Sequence, residues 1–156
     1  MKKLLREIRL WLILFVILLV LSGLTAFPIQ TELNWLAQYT HLFPENLRLW
    51  LEKTTAAVND TYSKYPQLAY GYDWLAFAHI VIGVAFIRPY RDPVRNIWVV
   101  EWGMIACMLV PFLAFICGPI REIPFFWRLI DTSFGVFGIL PLWYVRRKIK
   151  ILEKLA

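Results

Sequence analysis

Residues 97–118 read IWVVEWGMIACMLVPFLAFICG, a run of twenty-two with a single charged side chain, Glu101. As a helix it extends about 33 Å at 1.5 Å per residue, enough to cross a hydrocarbon core about 30 Å thick. Three more apolar stretches, 10–27, 72–87 and 125–145, are long enough or nearly so to do the same. The second is short and draws Tyr70 and Arg88 towards the interface, while the fourth carries Arg128 and Asp131 and inserts less readily alone. A chain of 156 residues that is 60% hydrophobic, with positive mean hydropathy, lies far outside the soluble range. The expected fold is an all-α integral membrane protein: four transmembrane helices forming one membrane domain over 1–156.

The first stretch follows Lys2, Lys3, Arg6 and Arg9, as the apolar core of a signal peptide would. It is long for that role, and no small-x-small cleavage site follows it, so a retained helix is expected. Basic residues set the orientation. Arg88, Arg91 and Arg95 in the 88–96 loop, and Arg146, Arg147, Lys148, Lys150 and Lys154 in the C-terminal tail, fall on the same side as the N-terminal four. The positive-inside rule then places both termini in the cytoplasm and the chain in the plasma (inner) membrane. The net charge of +6 is accounted for by residues at membrane edges, so no nucleic-acid partner is implied. Cys107 and Cys117 both lie in the third span, about 15 Å apart along it, and cannot pair with each other.

The extracytoplasmic segment 28–71 predicts a helical cap. Leu33, Leu36 and Tyr39/Thr40 mark a short amphipathic helix. Phe43-Pro44-Glu45 starts another, whose apolar face carries Leu47, Trp50, Leu51, Thr54, Val58, Thr61, Tyr62 and Tyr65 before Pro66 ends it. About 44 residues bury too little for an independent core, so these helices are expected to lie on the bundle. Asn59-Asp60-Thr61 matches a glycosylation acceptor, a three-residue pattern of little specificity. The loop at 88–96 is expected to be a tight turn, its two prolines stopping one helix and restarting the next.

Charge within hydrocarbon costs roughly 2.5–3.5 kcal/mol per group, which makes His79, Glu101, Arg128 and Asp131 the candidate functional residues. Ala76, His79 and Gly83 share one helical face, as do Arg128, Asp131, Gly135 and Gly138. Gly103, Cys107, Val110, Ala114 and Cys117 make a mostly small stripe on the third span. Small faces mark helix–helix contacts in lipid, so these charges are expected to point inward. His79 lies about 9 Å below Asp73, Asp131 is about as deep, and Arg121 and Glu122 ring the mouth. His79, Arg128 and Asp131 are therefore expected to form an outward-opening cluster. Glu101, one turn inside the cytoplasmic end, is expected to form a structural ion pair with Arg88, Arg91, Arg95 or a C-terminal arginine.

The outer cluster has three readings. Arg128–Asp131 is an i,i+3 pair with His79 bonded across helices. Or Asp73, His79, Arg121, Arg128 and Asp131 bind a polar headgroup or partner helix. Or His79 is a general base oriented by Asp131, with Arg128 stabilising an anion and Cys117 available as a nucleophile. His41 is the only other histidine and belongs to the outer loop, so no metal and no haem or other cofactor is expected. The pattern of Asp73 and His79 in one helix, with Arg128, Asp131, Gly135 and Gly138 in the last, resembles VanZ-like membrane proteins associated with glycopeptide resistance. Its acid–histidine spacing is longer, Thr132 stands where such proteins carry Asn, and the outer loop is additional, so no function is carried across. The expected role is a non-catalytic accessory or assembly module whose partners are membrane lipids and a protein partner or second copy. The alternative is an intramembrane enzyme or headgroup binder.

Overall fold

The computed structural model describes residues 1–155, and among them every regular element is helical, with no strand. In chain order the helices are α1 (Lys2–Leu24), α2 (Ile29–Ala37), α3 (Glu45–Lys64), α4 (Tyr70–Ala85), α5 (Ile87–Arg91), α6 (Ile97–Ile120) and α7 (Phe125–Lys154), with 3₁₀ turns at Thr40–Leu42 and Pro66–Leu68. Three segments, Pro66–Arg91, Ile97–Ile120 and Phe125–Lys154, are long and apolar enough to cross a membrane. A fourth qualifies if α1 and α2, bent by 78°, are taken as one broken span.

Prolines set most boundaries. Pro44 and Pro124 sit extended before α3 and α7, pre-set to begin a helix, and Pro66 follows the last residue cap of α3. Pro89 lies inside α5 instead of stopping it: lacking an N–H, it cannot bond the Ala85 carbonyl, so the break falls at Phe86. The end of α6 is a Schellman turn. Ile123 N–H donates to Gly118 O at 2.9 Å and Glu122 N–H to Pro119 O at 3.1 Å. That turn needs a left-handed residue, and Glu122 supplies it at φ 54° without being glycine.

The chain divides into two compact units, Leu18–Ile82 and the remainder, Met1–Ile17 with the segment from Gly83 onward. In the second of these, Ile8 and Leu12 of α1, Phe86, Val99 and Val100 of α6, and Leu142, Val145 and Ile149 of α7 are almost fully buried. The α7 stripe runs on to Leu152, so the basic C-terminal stretch is an amphipathic continuation of the span. A close approach of α6 and α7 is built by a proline and a glycine. Pro111 leaves the Cys107 carbonyl without its helical donor. Gly135 faces that carbonyl so closely that a Cβ there would lie 2.5 Å from the oxygen and 3.1 Å from Val110 Cβ.

In the Leu18–Ile82 unit, α2 packs on α3. Leu33 and Leu51 are buried, and three amides tie the helices together. Asn59 Nδ2 donates to Asn34 Oδ1 at 2.7 Å, and Gln30 Nε2 donates to Asn59 Oδ1 at 2.8 Å. Leu47, Trp50, Leu51, Thr54, Val58, Thr61 and Tyr62 all lie on the sheltered face of α3, the face that their spacing selects, whereas Tyr65, the last residue expected there, caps the helix and is exposed. Asn59 is therefore a helical residue with its amide engaged, which disfavours glycosylation of the folded chain.

Candidate functional site

His79 and Asp73 belong to α4 in the Leu18–Ile82 unit, whereas Arg121, Arg128, Asp131 and Glu101 belong to the other. Around His79 the helices α1 and α4 touch. Gly23 of α1 lies against the His79 side chain and the Ala76 carbonyl, and a Cβ at Gly23 would collide with His79 Cβ. Ala76 is completely buried. The small face predicted for Ala76 and His79 is thus the contact face of this crossing. His79 Nδ1 lies 2.8 Å from Leu75 O. A carbonyl only accepts, so Nδ1 is the donor in this contact. The group that orients the imidazole is the carbonyl one turn earlier.

In the same unit Tyr62 packs edge-on to Tyr72 with ring centroids 6.3 Å apart, and its buried hydroxyl has no hydrogen-bond partner. Burial pushes the Tyr62 phenol up from its ordinary value, and Tyr72 and Asp73 nearby add to the shift.

Arg128 and Asp131 do not pair: among the described residues neither takes part in an ion pair. Helical side chains lean towards the N-terminus, so the Arg128 side chain runs back along Gly118 and away from Asp131 one turn deeper. A Cβ at Gly118 would lie 2.5 Å from Arg128 Cδ. The guanidinium carbon stands 5.4 Å over the Phe125 ring, and Nε is buried without a hydrogen-bond partner. Asp131 is half-buried on the same helix, and the Thr132 hydroxyl beside it is buried and unbonded.

Glu101 accepts from Arg146 Nε at 2.8 Å. Its partner is the C-terminal arginine, because α7 runs antiparallel to α6 and brings its last turns beside the first turns of α6. No ion pair joins Glu101 to Arg88, Arg91 or Arg95 among the described residues. A second polar lock escaped the sequence reasoning. Lys148 Nζ lies 3.0 Å from Glu7 Oε2, which also accepts from the Tyr144 hydroxyl at 3.3 Å. Lys148 stands 5.0 Å over the Tyr144 ring, and the Trp11 ring packs on Tyr144 with centroids 5.4 Å apart. The bond from Lys148 holds the Glu7 carboxyl below its ordinary value, and the same bond holds Lys148 above its own. The signal that could have found it is the 142/145/149/152 stripe, which makes residues 146–154 a helix instead of a tail.

Among the described residues, no three of His, Cys, Asp and Glu converge as metal ligands would. Cys107 lies on the face of α6 towards Gly138, where a Cβ would meet its Sγ at 3.0 Å; Cys117 is exposed. No family model, no curated protein and no solved structure matches this chain.

Proposed function

We propose that this chain is a four-span protein of the plasma (inner) membrane, with both termini cytoplasmic, acting as a non-catalytic accessory or assembly module. The observation that carries this reading is the use of Glu101, a carboxylate within an apolar helix, to fasten α6 to α7 through Arg146 at 2.8 Å. Glu7 and Lys148 work the same way between α1 and α7. These charges hold helices together.

The bias of basic residues towards the termini and the 88–96 loop supports the orientation. The apolar residues 10–24 of α1 support a fourth span. The amphipathic character of α2 and α3, with charges on the open face of α3 and Leu33 and Leu51 inside, supports an outer cap. Leu109, Phe112, Leu113 and Ile116 turn outward from α6, each more than half exposed, and offer a face to lipid or to a partner helix.

The test is native mass spectrometry of the tagged full-length chain extracted in mild detergents, with reporter fusions at both termini and at Val58 to fix topology. A complex heavier than one 18.4 kDa chain is expected. A single chain with lipid alone in every detergent refutes the module reading. A second reading, headgroup binding or intramembrane catalysis, is favoured by the unpartnered Nε of Arg128 above an unpaired Asp131. Alanine at His79 or Asp131 that spares fold and assembly but abolishes a cellular phenotype would select it.

A further inference from the structure

We infer that the N-terminal part of α1 and the α4–α5 junction form a binding groove for one anionic glycerophospholipid of the cytoplasmic leaflet. The inference rests on the proposal that the N-terminus is cytoplasmic. Two clefts, of about 210 Å³ and about 320 Å³, adjoin at Ile13 and Tyr90, which line both. The first is walled by Leu12, Val16, Ile17, Phe86 and Ile87 and is almost wholly apolar. The second is bordered by Lys2, Arg6 and Arg9. Along α1, positions 2, 6, 9, 13 and 16 are separated by three or four residues and therefore lie on one face. That face changes from cationic to aliphatic within four turns, as a phospholipid changes from phosphodiester to acyl chain.

The cations are free for a ligand. Among the described residues Lys2, Arg6 and Arg9 enter no ion pair, and the carboxylate beside them in sequence, Glu7, is held by Lys148. Arg9 is pre-positioned: its Nε donates to Tyr90 O at 3.2 Å and its guanidinium carbon stands 5.4 Å over the Tyr90 ring. The terminal nitrogens of Arg9 thus stay available for a bidentate contact to phosphate. Charge complementarity selects a phosphodiester, and the adjoining apolar groove selects one that carries acyl chains. Basic pockets beside spans on the cytoplasmic side suit such headgroups. A soluble phosphate or nucleotide would leave the apolar half uncovered.

The test uses the full-length chain in nanodiscs of phosphatidylcholine with phosphatidylglycerol, followed by native mass spectrometry of lipids retained on release. The wild type is expected to retain phosphatidylglycerol in preference to phosphatidylcholine. Arg6→Gln and Arg9→Gln are each expected to cut that preference roughly fivefold. Ile13→Trp, which fills the junction of the two clefts and keeps every charge, is expected to reduce it as well. Equal retention of both lipids by the wild type overturns the site. So does an effect of the arginines with none from Ile13→Trp, which would mark surface electrostatics without a groove. Far-UV circular dichroism on each variant separates loss of binding from loss of fold. Lys3→Cys, in a Cys107→Ala, Cys117→Ala background, is probed on intact cells with an impermeant maleimide. Labelling from outside overturns the topology and the leaflet assignment with it. Protection from labelling together with absent selectivity overturns the lipid site alone.

Discussion

Replacing Gly135 by Ala tests the α6–α7 contact most directly. An added Cβ would lie 2.5 Å from the Cys107 carbonyl oxygen, whereas ordinary contact begins at 3.4 Å, so the helices must part by about 0.9 Å locally. The obstacle is backbone, held by α6, and cannot turn aside as a side chain could. Overpacking of this kind costs about 1–3 kcal/mol, and the better helix propensity of alanine returns at most about 1 kcal/mol. A net loss of about 1 kcal/mol follows, and Val at the same position, bulkier and with a smaller propensity gain, should lose more. Gly71→Ala supplies the control: nothing lies within 4 Å of a Cβ there, so it should be neutral or slightly stabilising. The same chemical change then has opposite signs at two sites. Reversible unfolding in mixed detergent–SDS micelles, followed by tryptophan fluorescence, measures both. The Pro111→Ala, Gly135→Ala double mutant should also show coupling of at least about 0.5 kcal/mol, because restoring the N–H at 111 reclaims the Cys107 carbonyl. Stability of Gly135→Ala at or above wild type, with Gly71→Ala behaving normally, would refute the close contact of Gly135 with the Cys107 carbonyl.

Glu122→Gly should raise stability by about 1 kcal/mol, since glycine adopts φ 54° without strain; the same SDS titration reads it. Glu101→Gln should cost about 1 kcal/mol or less, because both partners of the Arg146 pair are partly exposed, and the Arg146→Gln, Glu101→Gln double variant should cost no more than either single change. The Glu7–Lys148 pair predicts a pH profile. The Glu7 carboxyl is lowered from 4.5, so its contribution is present above that value and is lost as pH falls through the folded value below it. Lys148 is raised from 10.5, so its contribution is full below that value and is lost as pH rises through the folded value above it. Thermal unfolding between pH 5 and 9 should therefore be insensitive to this pair, and Glu7→Gln should flatten the acid limb in nanodiscs; an unchanged limb excludes the pair as its source.

Helix positions were legible because their signals are local. The run at 97–118, the Pro44 start of α3 and its apolar face all depend on neighbours a few residues apart, and each reappears as α6, α3 and the sheltered side of α3. Partnership was less legible because it depends on which ends of antiparallel helices coincide. Spacing left the partner of Glu101 open among Arg88, Arg91, Arg95 and a C-terminal arginine, and α7 delivers Arg146 to it from 45 residues away. Glu7 stands among basic residues of its own stretch with no local sign of its partners, and α7 delivers Lys148 and Tyr144 to it.

Arg128 and Asp131 failed for the converse reason. Their i,i+3 spacing satisfies the rule for helical neighbours, but with the cation on the N-terminal side both side chains lean the same way and the arginine extends out of reach. Direction along the helix therefore decides what spacing alone leaves open. Reversing the order should build the missing bond. In the Arg128→Glu, Asp131→Arg variant the new arginine leans back towards the new carboxylate, while Gly118 loses the stem that now lies on it. The pair gained is worth about 0.5 kcal/mol on an exposed helix. The packing lost over Gly118 is larger, so the swap should destabilise the fold by about 1 kcal/mol or more in the SDS titration. Stabilisation on swapping would mean that the stem of Arg128 contributes nothing against Gly118, and that the charge order alone governs this turn.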